Sequence, residues 1–127
     1  MGKAHKFLIF SLLFFTSISI NYCYDGDTCT SDKGEKIRLA CIDAPELKGP
    51  EANPKKAKAA RNHLRDLVYK KNIQIRRITK DHYGRTVGEL FADGLNLQEQ
   101  MVKDGHAKIY KKYAFQCEWS KEPTSWI

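Results

Sequence analysis

The 127-residue chain contains 22 lysines and arginines against 15 aspartates and glutamates, which gives a formal net charge of +7. Its length fits a single domain, and its positive charge favours polyanionic partners, either nucleic acids or anionic membrane surfaces. Two kinds of catalytic centre find no support. No Ser/His/Asp or Cys/His pattern occurs, and the four histidines form no i,i+4 pair that would bind zinc on a helix.

The beginning of the chain has the pattern of a secretory signal peptide. Two lysines precede the apolar run 7–15, and small polar residues follow it. The apolar stretch is shorter than the ~20 residues that span a bilayer, so we expect cleavage around residues 17–19 rather than stable membrane insertion. The sequence therefore predicts a signal peptide over residues 1–19 and one exported domain over residues 20–127.

Alternating polar and apolar residues predict strands in the first half of the chain. Residues 17–24 have a period of two and predict the first strand, which overlaps the expected cleavage region. Residues 28–42 predict a hairpin whose second strand carries both Arg38 and Asp43. This hairpin should bring Arg38 close to Asp27.

The second half of the chain alternates between helices and strands. An apolar stripe predicts a helix over residues 55–70, and strands are predicted over residues 72–78 and 86–91. A second helix is expected to begin with a capping box at Asn96 and to end at Gly105. Strands, a helix, further strands and a short helix together predict an α+β domain.

The chain has an even number of cysteines, which favours disulfides in an exported protein. Three pairings of two bridges are possible, and the sequence does not choose among them. A metal site is disfavoured because no Cys-x-x-Cys motif occurs, and a buried thiol at Cys41 would also suit the predicted core. The cysteines are Cys23, Cys29, Cys41 and Cys117.

Three short segments carry most of the residues suited to catalysis. They are Asp-Gly-Asp-Thr at 25–28, Arg-Leu-Ala-Cys-Ile-Asp-Ala-Pro-Glu at 38–46 and Asp-His-Tyr-Gly-Arg at 81–85. Each segment alone has an ordinary alternative, such as a solvated turn or surface charges on a strand. The occurrence of all three segments in one chain is a more specific sign of a catalytic site than any one segment alone.

Hydrolysis of a phosphodiester requires charge neutralisation at the phosphate, an aligned water and removal of a proton from that water. Asp27 and Asp43 offer hard oxygen ligands for a divalent cation. Arg38 and Arg85 can each bind phosphate through two N–H groups, and Glu46 can act as the base.

In their order and spacing, the three segments resemble the staphylococcal nuclease family of secreted, calcium-dependent nucleases. The resemblance extends over about residues 24–113, where Ala-Asp-Gly at 92–94 adds to it. It implies a small five-stranded β-barrel of the oligonucleotide/oligosaccharide-binding (OB) type, with about two packed helices. The fold class is therefore expected to be α+β.

The resemblance also implies a calcium site. Asp27 and Asp43 would coordinate Ca²⁺, and the main-chain carbonyl of Ala44 would be a further ligand. Ala44 departs from the threonine often found at this position in the family. The substitution is harmless if only the carbonyl is needed.

For the substrate, the resemblance implies that Arg38 and Arg85 bind the scissile phosphate and that Glu46 is the base. A carboxylate beside a metal could instead orient the water without taking its proton. Tyr83 and Tyr113 would stack on bases or pack against the bound nucleotide. For both tyrosines, the alternative is a structural role at the edge of the barrel.

The sequence thus predicts a secreted or periplasmic, calcium-dependent endonuclease that hydrolyses DNA and RNA to 3′-phosphate products. No protein partner is indicated, and a monomer is expected. The alternative is a non-catalytic nucleic-acid-binding OB-fold protein. A third hypothesis is an exported basic protein that adheres to anionic cell surfaces. The combined carboxylates and arginines favour the enzyme.

Overall fold

The computed structural model describes residues 16–121, in which a curled β-sheet packs against helices. The predicted signal peptide thus lies mostly outside the described residues. The strands are β1 (Thr16–Ile18), β2 (Ile20–Asp25), β3 (Thr28–Ser31), β4 (Lys36–Leu39), β5 (Ile42–Asp43), β6 (Ile73–Lys80), β7 (Thr86–Ala92), β8 (Leu95–Asn96) and β9 (Lys108–Ile109). The helices are α1 (Pro54–Val68), α2 (Leu97–Lys103), a 3₁₀ helix (Lys111–Gln116) and α3 (Glu118–Lys121). No helix within this range is long and apolar enough to cross a membrane.

The main sheet is a mixed half-barrel. Its strand order is β1-β6-β7-β4-β3-β2, with β8 added beside β7 and with β4 parallel to β7. Strands β1 and β2 lie at opposite ends of this order, yet only Ser19 separates them in the chain. The sheet must therefore curl until its two edges approach each other. This architecture confirms the predicted α+β class and is consistent with an OB-like fold.

Two strand predictions need correction, and both errors arise where the chain changes its pairing partner. Residues 17–24 form two strands because β1 pairs with β6 whereas β2 pairs with β3. The predicted strand 36–42 ends at Leu39, because Cys41 adopts a left-handed backbone with φ of 69°. Asp43 consequently lies on β5, which pairs with β9, and not on the strand of Arg38.

Helix α1 packs against the core of the sheet and contacts β2. Asn53 caps its first turn by accepting a hydrogen bond from the Lys56 amide at 3.2 Å, and Pro54 follows as the first helical residue. The buried stripe of Ala57, Ala60, Leu64 and Val68 packs toward the core. Helix α2 begins as predicted, with the Asn96 side chain accepting the Glu99 amide at 3.0 Å.

Two disulfides resolve the three pairings that the sequence left open. Cys23–Cys29 joins opposed residues of β2 and β3, whereas Cys41–Cys117 links residues 76 positions apart. The expected thiol at Cys41 is therefore half of a disulfide. Because a bridge across a long loop restricts the unfolded chain most, the second bridge should contribute more to stability.

Glu89 is a buried carboxylate that fastens the segment after the 3₁₀ helix to the sheet. It accepts hydrogen bonds from Arg76 at 2.8 Å, from Asn96 at 2.9 Å and from the Trp119 indole at 3.1 Å. Arg76 also donates to the Gln116 carbonyl at 2.8 Å. A buried charge with this many partners is stable where an unpaired one would not be.

Glu35 joins the β3–β4 turn to the rest of the sheet. It accepts hydrogen bonds from Arg77 at 2.8 and 2.7 Å and from the Thr86 hydroxyl at 2.8 Å. The hydrogen bonds from Arg77, opposed by burial and aided by Thr86, lower the pKa of Glu35 to about 2. Because this pKa is depressed in the folded state, the stabilisation is present above the ordinary pKa and is lost as the pH falls toward 2.

We expect Glu35→Gln to lower the free energy of unfolding at pH 7 by about 1 kcal/mol, since the pair is partly exposed to solvent. The difference from the parent should narrow progressively below pH 4.5, the ordinary pKa of this carboxyl. Urea unfolding from pH 7 to pH 3 measures it. The control, Glu118→Gln, removes an exposed pair and should change little. If the difference in unfolding free energy between the parent and Glu35→Gln stayed constant with pH, the lowered pKa of Glu35 would be refuted as its cause.

Candidate active site

A cavity of about 230 Å³ collects five of the residues that the sequence singled out. They come from the turn after β2, from β4, from β5, from the loop that precedes α1 and from the turn directly before β7. Segments distant in sequence thus meet in one place. The five residues are Asp27, Arg38, Asp43, Glu46 and Arg85.

Asp27 is the most constrained of these residues, with only 6% of its surface exposed. Its Oδ2 accepts a hydrogen bond from the Ala44 amide at 2.8 Å and lies 3.5 Å from Nη2 of Arg38. Its Oδ1 accepts a hydrogen bond from the Thr28 hydroxyl at 3.1 Å. The Asp27 amide in turn donates to Oδ1 of Asp25 at 3.0 Å, which shapes the turn.

Burial raises the pKa of Asp27 to about 6, against the opposing influence of Arg38. The neighbouring Asp25 carboxylate raises it further. Burial and the neighbouring carboxylate both disfavour the charged form of Asp27. This is a setting in which a bound cation would be stabilised.

The donor set around Asp27 fits a hard cation. Asp27 and Asp43 contribute carboxylate oxygens to the cavity. Ala44 donates its amide to Asp27, but it is buried and lines a neighbouring cavity rather than this one. Over residues 16–121, no three His, Cys, Asp or Glu side chains are grouped as a metal site. Carboxylate oxygens such as those of Asp27 and Asp43 are the ligand type that Ca²⁺ prefers.

The two arginines are oriented by neighbouring protein atoms. Arg38 donates from Nη1 to the Leu39 carbonyl at 2.6 Å. Arg85 donates from Nε to Asp81 at 2.8 Å, and Asp81 also accepts the Arg85 amide at 2.9 Å. Although burial of Asp81 opposes it, these bonds from Arg85 lower the pKa of Asp81 and keep it charged. Both guanidinium groups are thereby held at the cavity.

The two predicted substrate tyrosines differ in their position. Tyr83 lies beside the cavity, with its exposed ring 5.2 Å from the Arg85 guanidinium carbon. Tyr113 lies in the 3₁₀ helix, packs edge-on against Tyr110 and does not line the cavity. The Tyr110 amide donates to the Cys41 carbonyl, which keeps this helix near β5.

Sequence reasoning missed several residues that line the same cavity. Tyr24 directly precedes the recognised Asp-Gly-Asp-Thr segment, within which Asp25 was given no role of its own, and Lys48 follows Glu46 by two residues. The Asp-Gly-Asp turn was a signal for Asp25. No local pattern distinguishes Tyr24 or Lys48, because their position depends on how the loops meet.

Gly26 explains why Asp25 and Asp27 can approach the rest of the site. A Cβ atom at this position would lie 2.7 Å from Cβ of Ala44 and 2.8 Å from Cβ of Ala60. Any side chain would therefore push the turn away from Ala44 and α1. The close contact also suits the small side chain of Ala44.

We expect Gly26→Ala to lower the free energy of unfolding by about 1–3 kcal/mol, as overpacking of a tight contact does. Urea unfolding measures this loss. In Gly26→Ala with Ala44→Gly, the nearest opposing Cβ is removed, so part of the stability should return. Equal urea midpoints for the parent and Gly26→Ala would contradict the packing described here.

Comparison with known proteins identifies the family. The profile described as staphylococcal nuclease homologue matches residues 36–124. An uncharacterized endonuclease of Haemophilus influenzae is 40% identical over 116 residues, which cover 84% of this chain and 62% of that protein. The probable staphylococcal-like nuclease CAN3 of Oryza sativa subsp. japonica is 38% identical over 86 residues, covering 68% of this chain and 22% of that protein.

A third relative, an uncharacterized endonuclease of Escherichia coli, is 36% identical over 93 residues, covering 70% of this chain and 58% of that protein. The chain thus spans less than two thirds of the length of each of these relatives. The matched region includes Arg38, Asp43, Glu46 and Arg85. The chain belongs to the staphylococcal nuclease family.

Proposed function

We propose that this protein is a calcium-dependent endonuclease that hydrolyses phosphodiester bonds of DNA and RNA. Water would attack phosphorus, the 5′ oxygen would leave, and the products would carry 3′-phosphates. The observation that carries the proposal is the cavity that four acidic residues line together with Arg38 and Arg85. The names of the Haemophilus influenzae and Escherichia coli relatives, both uncharacterized endonucleases, agree with it.

Arg38 and Arg85 would bind the non-bridging oxygens of the scissile phosphate. Each guanidinium is already held by protein acceptors, the Leu39 carbonyl and the Asp81 carboxylate respectively. A preorganised donor costs little reorganisation when charge develops in the transition state. The arginines would therefore stabilise the transition state more than the bound substrate.

Asp27, Asp43 and the main-chain carbonyl of Ala44 would hold the cation, which supplies positive charge against the phosphate and lowers the pKa of a coordinated water. Glu46 lines the same cavity and is exposed to solvent. Its carboxylate would orient the attacking water and accept its proton. Glu46 lies on a loop that is closed by a hydrogen bond from the Asn53 amide to the Glu46 carbonyl at 3.0 Å.

The competing proposal is a barrel that binds nucleic acid without cutting it. A polyanion binder gains nothing from acidic groups beside its phosphate contacts, because like charges weaken the complex. In this cavity, Asp27, Asp43 and Glu46 lie among the arginines. Their presence is better explained by catalysis with a cation.

We also propose that the protein is secreted or periplasmic. The two disulfides are typical of proteins that fold outside the cytoplasm. Calcium sites in extracellular modules have dissociation constants of about 10⁻⁴ to 10⁻³ M, which such compartments can satisfy. The predicted signal peptide over residues 1–19 agrees with this proposal.

We expect Arg38→Ala and Arg85→Ala each to reduce the cleavage rate ~10²-fold or more, in line with the loss of one transition-state donor. Glu46→Gln should reduce cleavage as well, while its affinity for oligonucleotides stays the same or rises. Rates on a labelled oligonucleotide, paired with anisotropy for binding, separate the two effects. Arg61→Ala is the control, since Arg61 lies on α1 and does not line the cavity.

Rates within a few-fold of the parent for all three cavity variants would favour the non-catalytic barrel. The same conclusion would follow if the parent bound oligonucleotides but did not cut them in millimolar calcium. A loss of cleavage in the three cavity variants, with the Arg61→Ala variant cutting like the parent, would support the nuclease proposal.

We expect the cation to bind weakly, with a dissociation constant of about 10⁻⁴ to 10⁻³ M, because few carboxylates coordinate it directly. Cleavage should stop in excess EGTA. The Asp43→Asn substitution should abolish the heat of calcium binding that isothermal titration calorimetry measures for the parent. Asp32→Asn, a change in the exposed hairpin turn, should leave that heat intact. Cleavage that persists in EGTA without added metal would contradict calcium dependence.

A further inference from the structure

Two exposed tyrosines extend from the cavity along β2. Tyr24 lines the cavity and is 48% exposed, and Tyr22 is 46% exposed. The residue between them, Cys23, is buried in the core. Both side chains are therefore exposed on either side of the buried Cys23, and the pairing of β2 with β3 is irregular between Cys23 and Asp25.

Arg65 of α1 lies against β2. Its Nε donates to the Cys23 carbonyl at 3.1 Å, and its guanidinium carbon is 4.5 Å from the centre of the Tyr22 ring. Within residues 16–121 the Arg65 guanidinium donates only this hydrogen bond, through Nε, so its Nη groups remain available. An anchored guanidinium with free donors is suited to phosphate.

We propose that Tyr24, Tyr22 and Arg65 form a track for single-stranded nucleic acid that continues from the cavity. The tyrosine rings would stack on unpaired bases, and Arg65 would contact a backbone phosphate. The two tyrosines are separated by one residue on β2, so each ring can meet its own base. This inference rests on the proposed function, because the track would hold the strand that is cut.

The occupant follows from the chemistry of the surface. Aromatic rings interleaved with a cation bind single strands with little sequence preference, since every base has a π face. A duplex hides these faces within its stack and offers mainly phosphates. The track therefore favours single-stranded DNA or RNA over a duplex, and it is distinct from Tyr83 and Tyr113.

The test is the affinity of a fluorescent single-stranded oligonucleotide, measured by anisotropy in EGTA so that cutting is not required. We expect Tyr24→Ala and Tyr22→Ala each to weaken binding by about tenfold, because stacking contributes ~1–3 kcal/mol per base. Tyr24→Phe keeps the aromatic face and should bind like the parent. The parent should bind a duplex of the same length more weakly than the single strand. The two alanine substitutions should reduce the affinity for the duplex less than the affinity for the single strand.

Tyr69→Ala is the matched control. Tyr69 is 68% exposed and has the Lys70 amine 5.4 Å from its ring centre, but it does not line the cavity. Its loss should leave affinity within twofold of the parent. If Tyr24→Ala fails to fold in a melting experiment, Tyr24→Leu keeps the apolar bulk without the flat face and should also weaken binding about tenfold.

Folded Tyr24→Ala and Tyr22→Ala proteins with the parent's affinity would overturn the track. Equal losses for duplex and single strand would overturn it too, since stacking could not then be the cause. Cleavage in calcium is scored separately. A parent that cuts while these variants bind normally refutes the track alone, whereas a parent that never cuts while they bind weakly refutes the nuclease and supports the track.

Discussion

The buried Asp27 carboxylate is the interaction on which the site depends. It joins the turn after β2 to Ala44 through a 2.8 Å hydrogen bond, and it approaches Arg38 on β4 to 3.5 Å. Gly26 makes this approach possible, because a Cβ there would meet Ala44. Three segments that are separate in the sequence thereby meet around one charge. Burying that charge is costly unless positive charge is nearby, and Arg38 supplies part of it.

Contacts outside the cavity support this arrangement. β5 carries Asp43 and pairs with β9, while the Cys41–Cys117 disulfide ties the start of β5 to the C-terminal segment. Glu89 fastens the same segment to β6 through Arg76 and holds Trp119. Rigid support of this kind keeps catalytic groups in productive geometry, because small displacements reduce rates substantially.

Sequence reasoning succeeded where the signal was local. Asn96 caps α2, and the apolar stripe of α1 is buried, both as expected. It failed where the outcome depended on distant partners. The left-handed backbone at Cys41 ends β4 early, and neither the disulfide that holds Cys41 nor the lining role of Tyr24 is visible in neighbouring residues.

The central claim is that Asp27 and Asp43 hold a cation while Arg38 and Arg85 bind the phosphate. A crystal structure with Ca²⁺ and a nucleotide bearing a 5′-phosphate would test it most directly. The account predicts the cation at about 2.3–2.6 Å from oxygens of both aspartates and the phosphate in hydrogen-bond contact with both arginines. A cation or phosphate bound elsewhere, with these four side chains uninvolved, would contradict it.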